Sequence, residues 1–99
     1  MHVDLVTRVY KLILEANGAR IANRFIREFD HLASHAMKNY GTQAALNHYW
    51  NIVLGLLNID TTYAREALIN GVSEETWIIN FSKYVMPLVI QWKLPREEQ

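Results

Sequence analysis

Glycine sets the first limit on this chain, because three of its four glycines stand where a helical apolar period stops. Gly18 follows Asn17, Gly41 follows Tyr40 and Gly71 follows Asn70, and each offers the positive φ with which helices commonly close. Three stops imply at least four helices. Start signals come after them: Thr42 and Ser73 sit where a side-chain oxygen can accept an orphan amide, Asp60, Thr61 and Thr62 offer the same for another helix, and Glu74 and Glu75 put negative charge on a first turn. Helices are expected over 2–16, 19–39, 42–58, 62–70 and 74 to about 92. Pro87 removes a backbone donor from the last of these, and the run Val85, Met86, Leu88, Val89, Ile90 also fits an extended strand. The reading adopted is a kinked helix. No internal repeat occurs, and no alternating pattern bounded by turn residues argues for a hairpin. The expectation is an all-α fold, a compact bundle of four to five helices in a single domain over residues 1–99, with a flexible tail from about residue 94.

Composition narrows the function classes. An apolar fraction of 51% with 4 Gly and 2 Pro excludes a disordered or low-complexity chain. The absence of cysteine removes disulfides, thiolate catalysis and cysteine-based metal sites, and fits a cytoplasmic location. Asp4, Arg8, Lys11 and Glu15 interrupt the first apolar stretch too often for a signal peptide. The longest uncharged window, Asn39 to Ile59, carries Asn39, Gln43, Asn47, His48, Asn51 and Asn58. Its purely apolar part, Ile52 to Leu57, is far shorter than the roughly 20 residues a membrane span needs. No membrane association is expected.

Placed about 100° apart, the residues of each helix show what must be buried. The third helix is apolar nearly all round, and its only polar strip, Gln43, Asn47, Asn51 and Asn58, is uncharged. That suits a central helix whose amides bond to protein rather than to water, although the commoner reading of such amides is that they simply sit half exposed; His48 on the same helix reads as a hydrogen-bonded core histidine. In the last helix Trp77, Ile78, Phe81, Tyr84, Val85, Leu88, Val89 and Trp92 form a core stripe. Opposite it run Ile79, Met86 and Ile90 at i, i+7 and i+11, with Lys83 beside them. A second apolar line on a polar face marks a helix that packs on two sides. Either another helix of the same chain covers this line, or Ile79, Lys83, Met86 and Ile90 are the candidate surface for a second copy of this chain or for another protein; the excess of apolar stripe over what one small bundle hides favours the second. The charges are compatible with self-association: the chain is neutral overall, with six basic and four acidic residues over 1–59 and the reverse over 60–99.

The second helix carries a basic line. Arg20, Arg24, Arg27, His31 and Lys38 align opposite its apolar face over about 27 Å. Such a line can meet an acidic protein surface or follow a phosphate backbone, but Glu28 and Asp30 at its edges partly neutralise it and the plainer reading is a solvated face. The spacing of Ala67, Gly71, Val72, Ser73 and Thr76 resembles part of a helix-turn-helix. Glu66 and Asn70 stand where that motif wants apolar residues, and Glu74 and Glu75 open what would be the reading helix. It is read as an ordinary helix-to-helix turn. His31 and His35, with Glu28 one turn earlier, have a zinc-compatible spacing but lie among cations and outside any HExxH motif. Ser34, Ser73 and Ser82 lack a nucleophile context, and no glycine-rich phosphate loop exists. The expectation is a non-enzymatic, cofactor-free and metal-free interaction module, self-associating or partner-binding, that adapts, blocks or regulates a macromolecule. The alternative is a nucleic-acid-associated protein using the basic line.

Overall fold

The computed structural model describes residues 4–69 and 71–89. The expected tail from about residue 94, the end of the last expected helix, Asn70 and Ile90 lie outside the described residues.

Every described element is helical: α1 (Leu5–Asn17), α2 (Ala19–Tyr40), α3 (Thr42–Leu56), α4 (Thr62–Ala67), α5 (Glu74–Asn80), a π turn (Phe81–Val85) and α6 (Met86–Val89). This is the expected all-α bundle. The first three helices are separated by one residue each. Gly18 (φ 91°, ψ 169°) ends α1 and starts α2, donating from its N–H to the Leu14 carbonyl while its own carbonyl accepts from Ala22. Gly41 (φ 94°, ψ 174°) repeats the arrangement between α2 and α3. That region of backbone space is open essentially to glycine alone, so these corners belong to Gly18 and Gly41. Thr42 is the first residue of α3 rather than its cap.

The third helix ends differently. The Ile59 N–H bonds to the Leu54 carbonyl (3.1 Å) and the Asn58 N–H to that of Gly55 (3.0 Å), the paired bonds of a Schellman motif. Its left-handed residue is Asn58, at φ 58°. Asp60 then accepts from the Thr62 N–H (3.1 Å) to begin α4, and Ser73 accepts from the Thr76 N–H (3.1 Å) to begin α5. At the N-terminus, Asp4 accepts from the Val6 N–H (3.1 Å).

Leu5, Val9 and Ile13 of α1 pack with Phe25 and Phe29 of α2 and with Leu46, Tyr49, Trp50 and Val53 of α3. A chain of rings crosses this core. Phe25 stacks on Trp50 (centroids 5.5 Å apart, planes 4° apart), Trp50 meets Phe81 at 5.3 Å, and Phe81 stacks on Trp77 at 5.4 Å. Each such ring buries a large apolar area and prefers offset or edge geometry, so the chain joins the C-terminal helices to α2 and α3.

The uncharged strip of α3 is part-exposed, with Asn51 at the surface, and its amides nevertheless bond to protein. Gln43 Nε2 donates to the Val72 carbonyl (2.9 Å) and Gln43 Oε1 accepts from the Gly71 N–H (3.3 Å). Asn47 donates to the Leu68 carbonyl and accepts from Trp77 Nε1 (3.1 Å), and Asn51 accepts from Arg65 Nε (3.2 Å). Asn58 leaves this row to make the turn. His48 corrects the expectation of a core histidine: it is exposed, because it shares the solvent strip of α3 with Asn51 and Gly55 while Leu46, Tyr49, Trp50 and Val53 take the inner face.

The segment around Pro87 is helical through Val89. Its irregularity is a π turn, in which the Met86 N–H reaches back to the Phe81 carbonyl. Pro87, one residue later, has no N–H to continue the ladder. The extra residue in the turn retards the helical phase by about 100°.

Candidate functional site

The surface singled out in the last helices is built around α5 and the π turn. Ser73 caps α5, and Trp77 and Phe81 anchor its inner side at zero exposure. Ile79 therefore points away from the core and is 61% exposed. Lys83, one turn on, is exposed, with its ammonium 5.2 Å from the centre of the Tyr84 ring. That is within cation–π range. Tyr84 meets Tyr63 of α4 edge to face at 6.1 Å, and Tyr63 is itself half exposed. Met86 is half-buried and packs against the core. The π turn explains why: a strict α-helix would return Met86 to the side of Ile79, whereas the added residue turns it inward. Ile90, the fourth residue of the expected line, lies outside the described residues.

The surface thus contains Ile79 and Lys83 from the expected line, with Tyr84 beside Lys83 and Tyr63 against Tyr84. Tyr63 carries no signal in the sequence, since a helix as short as α4 has too few turns to define a face. Tyr84 reads as core from its period, and the π turn moves it to the margin.

On α2 the basic residues form the expected line with unequal surroundings. Arg24 is half-buried and donates from Nε to Glu28 (2.7 Å), an i, i+4 pair. Arg20, Arg27, His31 and Lys38 are exposed. Arg27 stands between two shallow hollows, one of about 410 Å³ shared with Asp4, Ile26 and Asp30, the other of about 370 Å³ shared with Glu28 and His31. Carboxylates therefore border the line on both sides. The same Glu28 charge, added to the larger effect of burial, pushes the Tyr49 phenol well above its ordinary value. Tyr49 stays protonated as a core residue.

His35 lies one turn beyond His31, and Asn39 Nδ2 sits 3.3 Å from its ring while donating to its carbonyl at 2.9 Å. Among the described residues no group of three or more histidines and carboxylates is placed to hold a metal ion.

A charged clasp missed in the sequence ties α1 to α5. Arg8 reaches both Glu74 (2.8 Å) and Glu75 (2.6 and 3.1 Å), gripping the latter through two nitrogens. These hydrogen bonds raise the guanidinium pKa and hold the Glu75 carboxyl below its ordinary value. The sequence marks Glu74 and Glu75 as first-turn charges but gives no sign of a partner so distant along the chain.

No helix among the described residues is long and apolar enough to cross a membrane. Comparison with family models, curated proteins and solved structures finds no match for this chain.

Proposed function

We propose that the protein is a small non-catalytic interaction module that self-associates through the surface around Ile79 and, in that form, adapts, blocks or regulates a macromolecular partner. The observation that supports this most directly is Ile79 itself, 61% exposed on a helix whose next residues inward, Trp77 and Phe81, are fully buried. Tyr84 lies under Lys83, one turn on from Ile79, and meets Tyr63, and aromatic rings next to a cation are favoured residue types at interface centres. A second copy suits a chain of zero net charge whose basic residues gather before residue 60 and whose acidic residues gather after it, because unlike ends then meet without net repulsion. Along α2 the Arg24–Glu28 pair and the flanking Asp30 temper the basic line, so that line is the weaker basis for function.

The test is the absolute mass in solution by light scattering after size exclusion, with absorbance at 260 nm across the peak. The expected result is a dimer or larger assembly free of nucleic acid. Ile79→Glu should return it to monomer with unchanged helical circular dichroism. A native chain that stays monomeric at every concentration contradicts the reading.

A further inference from the structure

The buried face of α1 ends on an amide. Leu5, Val9, Ile13 and Asn17 follow one another every fourth residue along that face, and Asn17 holds the position where the period calls for another apolar side chain. It is 8% exposed, and neither Nδ2 nor Oδ1 finds a hydrogen-bond partner among the described residues. Gln43 and Asn47, by contrast, are bonded through both ends of their amides. An amide enclosed without partners is a cost that opening to water removes. The last turn of α1 is thus the place at which that helix opens most readily.

The residue that follows is Gly18. Asparagine before glycine is the pairing most open to deamidation, because no side chain on the glycine hinders its nitrogen from reaching the asparagine Cγ. In the closed corner that approach is blocked twice. Asn17 has the backbone angles of a helix, which keep its Cγ and the Gly18 nitrogen apart, and the Gly18 N–H is engaged with the Leu14 carbonyl at 3.0 Å. Opening the last turn of α1 removes both restraints at once.

We propose that Asn17 is a site of spontaneous deamidation, reached by local opening of the last turn of α1 while the rest of the bundle stays folded. In the opened turn the Gly18 nitrogen gives its proton to solvent and attacks the Asn17 Cγ. The new C–N bond closes a five-membered succinimide, and the side-chain nitrogen takes a proton from water and leaves as ammonia. A second water opens the ring at either carbonyl. One product is aspartate on the original main chain; the other is isoaspartate, with the main chain routed through the side chain. Neither fits the closed corner. Aspartate brings a charge into a buried position at the negative end of the α1 dipole, and isoaspartate adds a carbon to the main chain where Gly18 turns at φ 91°. A transient opening thereby becomes a permanent one. The site is independent of the surface at Ile79.

The test uses the full native chain, held at mildly alkaline pH in urea from zero to beyond the unfolding transition. Trypsin then releases residues 12–20, in which Asn17 is the one asparagine. Conversion is read as the mass gain of a hydroxyl over an amino group, and isoaspartate as resistance to a protease that cleaves before aspartate. Below the transition, conversion of Asn17 is expected at a rate nearly independent of urea, the mark of local opening. In the unfolded chain it should rise to the rate of Asn70 before Gly71, the sequence's other pair of this kind. Asn17→Leu removes the enclosed amide and should slow hydrogen exchange of the Gly18 N–H about tenfold in native buffer. Asn17→Ala, which adds no bulk, should act in the same direction. No conversion in the folded chain, or conversion that follows the globally unfolded fraction, overturns the proposal. So does a Gly18 amide that exchanges at the native rate in both variants.

Discussion

Two regions of this molecule solve the same problem by different means. In residues 4–56, helices of 13, 22 and 15 residues meet at one-residue glycine corners. In residues 57–89, elements of 6, 7, 5 and 4 residues succeed one another, and side chains tend their ends. Asn80 donates to the Ala67 carbonyl (2.7 Å), Asn47 to that of Leu68 and Gln43 to that of Val72, while Asp60 and Ser73 receive first-turn amides. Every helix leaves about four donors and four acceptors unpaired at its ends. A helix of 22 residues offsets that cost along its length through a continuous buried face, whereas one of 6 residues consists almost wholly of ends. The long helices therefore rely on apolar packing and tolerate minimal turns. The short ones also bury apolar residues, Trp77, Phe81, Val85 and Val89 among them, but their many ends further rely on polar side chains supplied by their neighbours, above all by α3.

Substitutions that strike each region's own support should act on different scales. Trp50→Ala removes the ring that joins Phe25 to Phe81 and should cost about 3–5 kcal/mol, seen as a lower urea midpoint with both regions melting together. Asn47→Ala leaves the Trp77 N–H and the Leu68 carbonyl without this partner and should cost about 1–3 kcal/mol. Its signature should be local, with loosening of α4 while α1–α3 keep their protection. Equal loosening of all helices in Asn47→Ala would break the comparison. The smallest effect belongs to Glu75. Arg8 depresses its folded pKa, so its contribution is fully present above the ordinary value of 4.5 and is lost as pH falls through the lowered one. Both partners meet solvent, and screening keeps the gain small. Melting curves of the native chain and Glu75→Gln should differ at neutral pH and converge in acid; a gap that widens in acid would reverse the assignment.

The same division governs what the sequence makes legible. The boundaries at Gly18 and Gly41 can be read from punctuation, and the uncharged row Gln43, Asn47, Asn51 and the basic line of α2 from their period, because long helices repeat their pattern over several turns. His48 misleads because an apolar helix conceals which narrow strip meets water. Met86 and Tyr84 shift because one added residue in the π turn rotates everything after it, and the sequence marks that turn only through Pro87. Of the patch, Ile79 and Lys83 are readable from spacing. Tyr63 and the Arg8–Glu75 clasp require knowledge of which elements are neighbours, which no local pattern carries.

Native-state hydrogen exchange resolved by residue, monitored over a range of low urea concentrations, tests the central claim most directly. If the long helices are held by a common apolar core and α4 by side-chain amides, Val9, Phe25 and Val53 should exchange only through global unfolding, with a steep dependence on urea. Amides in Arg65–Leu68 should exchange much faster and almost independently of urea. A common rate and a common slope for both sets would contradict the account and make the molecule a single cooperative unit.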